Sequence, residues 1–483
     1  MLKTKNILFP AVGLVWAVSM AWFGLSAGGC PRRHGAGPSL QRGDAESWYG
    51  LYLGPDKIGH SVTLSRALPG GGRSVSNRSL MRIAMMGTPQ EVASALSYDL
   101  DRSFSLQSFD FRISGAADIR VKGRVLGRRL MIEVETQGRN QHQELALSGP
   151  VTLPEALEPL LAGRVLRPGD RFTYSMFDPS SMSLQPAAVT VAGQESLKLG
   201  GRKVWSTKLT TEFSGITSQS WVDSLGGILR EEGPLGMVLV AETKEQALKP
   251  DGSPQPLDLL TSLSVPSLGK GISDPRNTSR SIFRLLDIES SGFDLEGGRQ
   301  RLDSLRLSVS REPPPQASQD ALPDSLKRWL APTALIQSSD PAIIKLADSL
   351  CRVVSDHWAK SAVLSHWVFA SLEKRMSVTL PSAVEVLASR RGDCNEHATL
   401  FCALARAQGI PTRLCLGVVY LDGRFYYHAW NAVWRGGWIE VDPTFGQIPA
   451  DAARIRLVSG DLSDQGRLLP AMGRLKVEVV EWR

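Results

Sequence analysis

Arg391-Gly392-Asp393-Cys394-Asn395-Glu396-His397 puts a thiol at the start of a helix. Gly392-Asp393 offer a turn and an N-cap, because a short carboxylate side chain accepts the first free N–H groups of a helix. Ala398, Phe401, Cys402 and Ala405 recur at i, i+3, i+4 and i+7, so the pattern predicts a helix from about Cys394 to Gln408. Gly409 and Pro411 end it. A thiol is a poor nucleophile until it ionises, and unpaired N–H groups at a helix start favour the thiolate. A lowered pKa is therefore expected for Cys394.

A thiol nucleophile needs an imidazole to take its proton and return it to the leaving group. His428 lies in the aromatic-rich run Arg424–Trp434, which follows the turn dipeptide Asp422-Gly423 and reads as a strand. Alternation places Tyr426, Trp430 and Ala432 on the face of His428. A carboxylate that fixes the imidazole tautomer completes such a set. Asp442 stands at the end of a short expected strand, Trp438–Val441, after a turn at Gly436-Gly437. Two antiparallel neighbours bring positions 428 and 442 side by side.

Other readings compete. A cysteine in an apolar run is usually core, and that reading fits Cys351, Cys402 and Cys415. The polar neighbours of Cys394 argue against it there. Cys394-x-x-His397 with His428 and Asp442 also makes a zinc-ligand set, although no second Cys-x-x-Cys pair accompanies it. Neither a metal nor a cofactor is expected. Spacing assigns no role to His397 or Glu396. The backbone N–H of Cys394 is expected to contribute to an oxyanion site, with a second, upstream donor that no motif identifies.

From about Ser361 to Gly460 the chain resembles the transglutaminase-like superfamily, the papain-related fold with a Cys-His-Asp triad. The motifs that carry the likeness are Gly392-Asp393-Cys394 opening a helix, His428-Ala429-Trp430 on a strand, and Trp438-x-x-x-Asp442-Pro443-Thr444. More locally, Gly392 to His397, Phe425-Tyr426-Tyr427-His428-Ala429-Trp430 and Ala450-Asp451-Ala452-Ala453-Arg454-Ile455 look like bacterial envelope members of that group. The resemblance implies Cys394 as nucleophile, His428 as general base and Asp442 as orienting carboxylate. Expected helices at Pro341–Val354, Lys360–Leu372 and Ser382–Ser389, followed by an antiparallel sheet, give an α+β papain-like domain.

The rest of the chain frames that domain. Ile7–Ala27 is apolar over about the length of a bilayer span, preceded by Lys3 and Lys5. Leu25-Ser26-Ala27-Gly28-Gly29-Cys30 recurs in form at lipoprotein cleavage sites, although Ala27 stands where a larger aliphatic residue is usual. An uncleaved anchor, a cleaved signal and a lipoprotein all put the bulk of the chain outside the cytoplasm, in a bacterial envelope. Segments such as Trp48–Arg66, Leu96–Leu106, Asp118–Gln137, Lys203–Phe213 and Gly236–Thr243 alternate between glycine-bearing turns and read as an antiparallel β-rich domain. Pro154–Leu161 is a short expected helix within it, and Glu312-Pro313-Pro314-Pro315-Gln316 is the clearest linker.

The expected organisation is multidomain: an anchor or signal at 1–30, a spacer at 31–45 and a β-rich domain at 46–250. A β-like segment with its Pro-rich linker follows at 251–316, then the transglutaminase-like domain at 325–460 and a C-terminal linker and strand at 461–483. Five cysteines do not describe a disulfide scaffold, and an exported thiol enzyme is open to inactivation by oxidation. The net charge of +7 is spread along the chain without lysine–arginine blocks, which argues against nucleic-acid binding.

The expected function is an exported or membrane-anchored cysteine enzyme that acts on an amide bond through a thioester. Hydrolysis is favoured over transglutaminase cross-linking, and a non-catalytic envelope scaffold is the alternative from another class. Expected partners are a protein or peptide substrate, an envelope protein on the β-rich domain, and the membrane through the N-terminal segment.

Overall fold

The structure is a computed structural model that describes residues 44–85, 88–114, 119–136, 139–161, 164–179, 183–213, 216–249, 264–314, 323–333, 335–375 and 382–483. The apolar Ile7–Ala27 stretch, Cys30, the spacer as far as residue 43, and Pro315-Gln316 lie outside the described residues. Among the described residues no helix is long and apolar enough to cross a membrane. The chain divides into two units, whose described parts fall within 44–249 and 264–483.

The first unit is a fourteen-stranded antiparallel sheet. Consecutive strands pair from Ala45–Leu53 outward to Arg139–Ala146, and from Met237–Glu242 outward to Arg171–Asp178. The two meanders join where Ala45–Leu53 pairs with Met237–Glu242, Trp48 opposite Glu242. The sheet curls on itself. The Tyr98 hydroxyl donates to the Glu155 carbonyl at 2.8 Å, and the Phe109 ring lies 5.4 Å from that of Phe177 on an edge strand. The Asp118–Gln137 run resolves into a hairpin, Ile119–Leu126 and Arg129–Thr136.

Arg73–Met85 is a strand that sequence reading passed over. Its inward positions include Asn77 and Ser79 beside Val75, Met81 and Ile83, so both faces look polar in the sequence. The amide of Asn77 donates to Ser61 Oγ at 2.8 Å and Thr63 Oγ1 at 3.0 Å, and Ser79 donates to Ser61 at 2.8 Å. This network satisfies groups that burial would otherwise penalise. Glu155 and Glu231 are also buried, and burial pushes both carboxyls well above the usual range.

The second unit is α+β. A single sheet runs in the order Gln300–Asp303, Arg306–Ser310, Arg280–Leu286, Lys476–Trp482, Val265–Gly269, Arg424–Trp434, Thr412–Leu421, Arg454–Gly460. Trp438–Val441 pairs with the C-terminal half of Arg424–Trp434, with Asn431 opposite Val441. Segments that the sequence separates from the transglutaminase-like domain thus enter its sheet. Val265 pairs with Phe425, and Ser267 pairs in parallel with Val477. Parallel partners from the two ends of a unit share no turn, so no local signal announces them.

The helix Cys394–Ala407 is the centre of the unit, with every residue from Cys394 to Arg406 buried. The helices Pro341–Cys351, His357–Ser371 and Ala383–Ser389 and the sheet strands pack around it. Arg406 anchors its far end, donating to the carbonyls of Thr412 at 3.0 Å and Ala331 at 2.8 Å and to Asp461 at 2.6 Å. Cys351, Cys402 and Cys415 are buried and free, Cys415 packing with Trp430, Ala432 and Trp438.

Gly417 is paired directly across from His428 and is squeezed from its other side by Arg454–Gly460. A Cβ there would lie 2.0 Å from the Ile455 carbonyl oxygen. Gly417→Ala is expected to cost about 1–3 kcal/mol through overpacking. The readout is the urea midpoint of the folded chain, which should fall with an unchanged slope.

Candidate active site

The helix start is built by a reciprocal cap. The Asp393 carboxylate accepts from the N–H groups of Asn395 (2.9 Å) and Glu396, and the Asp393 N–H donates to Glu396 Oε2 at 2.8 Å. Gly392 is required because a Cβ there would sit 2.3 Å from that of Glu396. This cap holds Cys394 in the first helical turn, 1 % exposed.

His428 and Asp442 meet as their strands predict. His428 Nε2 donates to Asp442 Oδ2 at 2.8 Å, and both side chains are shut from solvent. A carboxylate only accepts, so the proton is on Nε2 and Nδ1 carries a bare lone pair. That Nδ1 has no hydrogen-bond partner among the described residues. The Ala429 N–H, next along the strand from His428, lies close enough to the Cys394 thiol to favour its ionised form. Asn431 ties strand to helix again through the Ala398 carbonyl at 3.0 Å. The three residues that sequence reading singled out are thereby brought to one place.

Asp442 is gripped from several directions. Its Oδ1 accepts from the N–H groups of Thr444 (2.9 Å) and Phe445 (3.1 Å). Its Oδ2 also accepts from Arg454 Nη1. Burial alone would raise this carboxyl, but His428 and Arg454 outweigh it and hold Asp442 far below the usual range. Arg454 is itself fully buried between Asp442, Asp451 at 2.8 Å and Gln447. Arg276 pairs with Asp451 at 2.8 Å and lies over the Phe445 ring, which is 5.0 Å from the His428 ring.

A second chain of charges fixes the other side of the imidazole. Trp430 stacks against His428, with ring centroids 5.8 Å apart, and donates to Glu440 at 2.8 Å. Glu440 is held by Arg456 at 2.8 Å and Arg299 at 3.4 Å. Arg299 also reaches Glu312 and the Asp451 carbonyl. Burial, set against the Arg299 charge, pushes Glu312 up to about 7.

Sequence reading missed most of these supports. Asp451 and Arg454 were visible only as part of a likeness, and nothing marked Arg276, Arg299 or Glu312. The expected lowering of the Cys394 pKa is corrected. Burial pushes the thiol well above its ordinary value, the carboxylate of Asp393 adds to this, and the Ala429 N–H offsets only part. The cap consumes the N–H groups that would have favoured a thiolate and replaces them with negative charge. Burial also lowers the pKa of His428 against the pull of Asp442. Both shifts favour the neutral forms, thiol and imidazole.

His397 lies one helical turn from Cys394, fully buried, with Nδ1 donating to the Asp393 carbonyl at 2.7 Å. Burial, with Lys374 and His428 nearby, holds its pKa down at about 4. Both the His397 and His428 ring nitrogens that face carbonyl or carboxylate are thus committed as donors. Among the described residues no group of three or more His, Cys, Asp or Glu side chains is arranged to hold a metal ion.

With this geometry in place, comparison with known proteins identifies the domain. The transglutaminase-like superfamily profile matches residues 345–443, which contain Cys394, His428 and Asp442. The second unit therefore carries a transglutaminase-like domain. Arg276, Arg299 and Arg454 fall outside the matched stretch. The chain is 30% identical over 156 residues to an uncharacterized protein of Mycobacterium leprae, a match that takes in 29% of this chain and 54% of that protein. The chain thus spans about half the length of that curated relative.

Among solved structures, a candidate cysteine protease from Cytophaga hutchinsonii aligns with 43% of this chain and 87% of its own, at 17% identity and a TM-score of 0.29. A β-barrel-like protein of a domain of unknown function from Brucella abortus aligns with 41% of this chain and 94% of its own, at 11% identity and a TM-score of 0.31.

Two outcomes follow from the electrostatics. Alkylation of Cys394 by iodoacetamide is expected to be slow at pH 6–7 and to climb with pH; fast labelling at pH 6 would show a preformed thiolate. For His397 the folded pKa of about 4 lies below its unfolded value of 6.5, so the unfolded chain binds more protons between them. Stability is therefore full above about pH 6.5 and falls as pH drops toward 4, by about 3 kcal/mol for this group. Urea midpoints from pH 4 to 7 should show that slope, and His397→Gln should flatten it.

Proposed function

We propose that the chain is a cysteine hydrolase that cleaves an amide bond through a thioester. The observation that carries this reading is the pairing of His428 Nε2 with Asp442, which leaves Nδ1 as a bare acceptor on a strand whose next residue, Ala429, acts through its N–H on the Cys394 thiol. In this mechanism Cys394 Sγ attacks the substrate carbonyl carbon while its proton passes to His428 Nδ1. His428 then protonates the departing amine, and Asp442 stabilises the imidazolium that forms between the two transfers. Water attacks the thioester and releases a carboxylic acid and the thiol.

The neutral resting pair fits base-assisted attack better than a standing thiolate, because the charges appear only as the proton moves. Water is the acyl acceptor in this reading, reaching a pair whose members are each 1 % exposed. The substrate class that fits the chemistry is a protein or peptide amide. Amine transfer and a scaffold without activity are the competing readings; loss of activity in Cys394→Ala separates an enzyme from a scaffold, and the acyl product, acid or new amide, separates hydrolysis from transfer.

Cys394→Ala should abolish hydrolysis and acyl-enzyme formation while the circular dichroism spectrum stays unchanged. Asp442→Asn should slow turnover by roughly 10³- to 10⁴-fold, since the amide favours the wrong imidazole tautomer. Activity retained in Cys394→Ala, measured as release of amine from peptide substrates, would overturn the proposal.

A further inference from the structure

The reading above leaves one buried group of the site without work. His397 shares a helix face with Cys394, being three residues on in the same helix. Its Nδ1 must be the protonated nitrogen, because it lies 2.7 Å from the carbonyl oxygen of Asp393, which only accepts. Its Nε2 is therefore a bare acceptor, and that atom has no hydrogen-bond partner among the described residues although the residue is 0 % exposed. Buried acceptors are rarely left unsatisfied without a reason. The ring stands one helical turn from Cys394, and the charges of Lys374, Asp442 and His428 bear on it.

The site thus presents two imidazoles in opposite tautomers. His428 has its proton on Nε2, facing Asp442, and its lone pair on Nδ1. His397 has its proton on Nδ1, facing the helix cap, and its lone pair on Nε2. Only one of them has the carboxylate partner that stabilises a positive charge. His428 is suited to take a proton, whereas His397 is kept neutral by its burial and by the nearby Lys374 charge, and is suited only to accept a hydrogen bond.

We propose that His397 Nε2 holds the nucleophile that resolves the thioester, and so selects acceptors that carry two hydrogens on the attacking atom. The proposal rests on the cysteine-hydrolase reading above. As water attacks the thioester carbonyl carbon, one of its hydrogens passes to His428 Nδ1 and then to the Cys394 sulfur as the C–S bond breaks. The other hydrogen stays on the oxygen and is held by His397 Nε2 throughout. The products are a carboxylic acid and a free thiol, with no proton gained or lost overall. A nucleophile with a single hydrogen on its attacking atom satisfies one imidazole and leaves the other unpaired beside it. Such a mismatch in a buried polar site is strongly discriminating.

The test compares hydroxylamine, whose nitrogen carries two hydrogens, with N-methylhydroxylamine, whose nitrogen carries one. The full chain is acylated with a p-nitrophenyl ester, the burst of p-nitrophenol reports acylation, and mass spectrometry partitions the released acyl group between water and each amine. The wild-type enzyme should favour hydroxylamine over N-methylhydroxylamine by at least tenfold. His397→Asn keeps a group near the Asp393 carbonyl but removes the distal acceptor. It should bring that ratio toward one and slow hydrolysis of the acyl-enzyme tenfold or more, with the burst intact. His397→Gln places an amide oxygen near the position of Nε2 and should restore much of the discrimination.

A packing role for His397 would lower all rates together without moving the ratio. Equal use of the two amines by the wild-type enzyme, or an unchanged ratio in His397→Asn, overturns the proposal and leaves the hydrolase reading standing. Equal use of the two amines by the wild-type enzyme overturns the proposal even where a variant does not fold, and the loss of discrimination in His397→Asn with its return in His397→Gln separates hydrogen bonding from the bulk of the methyl group. Absence of any burst or acyl-enzyme in the wild-type chain, by contrast, removes the hydrolase reading itself, and this proposal with it.

Discussion

Asp442 keeps a full negative charge with no exposure to water, and the second unit is arranged around the requirement to hold it. Two backbone N–H groups, the His428 ring and the Arg454 guanidinium all donate to its two oxygens. Arg454 must then be neutralised in its turn, which Asp451 does, and Asp451 draws in Arg276. Each buried charge demands a partner, because an isolated ion in such surroundings is far costlier than a paired one. The imidazole is thus positioned by a chain of ion pairs rather than by one contact.

That chain explains why the segment before residue 314 belongs to the same unit as the site. Arg276 and Arg299 stand on the connections around Arg280–Leu286 and Gln300–Asp303, and both reach Asp451. Arg299 also joins Asp451 to Glu440, which holds the Trp430 ring against His428. A domain cut at 325–460 would contain Cys394, His428 and Asp442 yet lack two cations of the network that fixes them.

The local part of this site was legible in the sequence. Gly-Asp before Cys394, the Asp422-Gly423 turn and the alternation around His428 each report on a few neighbouring residues, and the strands Arg424–Trp434 and Trp438–Val441 lie where those signals put them. The cap was legible as a helix start, but its effect on the thiol was not. Whether Asp393 leaves free N–H groups for the sulfur or occupies them depends on the Glu396 contact and on the depth of burial. Arg276 and Arg299 were illegible because an arginine in a loop looks the same whether it faces solvent or a buried aspartate far along the chain. Arg73–Met85 was missed for a related reason: its inward Asn77 and Ser79 are satisfied by strand neighbours, so the polar pattern that argues against a buried face is misleading there.

The two units contain buried carboxyls with opposite fates, and the contrast shows what makes a site. Glu155 and Glu231 are buried like Asp442, and each has an oxygen without a hydrogen-bond partner among the described residues. Burial therefore drives both toward the protonated form. Asp442 suffers the same burial, but two charged or chargeable donors and two N–H groups reverse the outcome. The carboxylate can orient an imidazole only because those partners keep it ionised at a depth where a lone acid would be neutral. The chemistry of Cys394 thus depends on residues that touch neither the thiol nor the histidine. Arg454, which holds Asp442 and is held by Asp451, is the one through which the rest of the network acts.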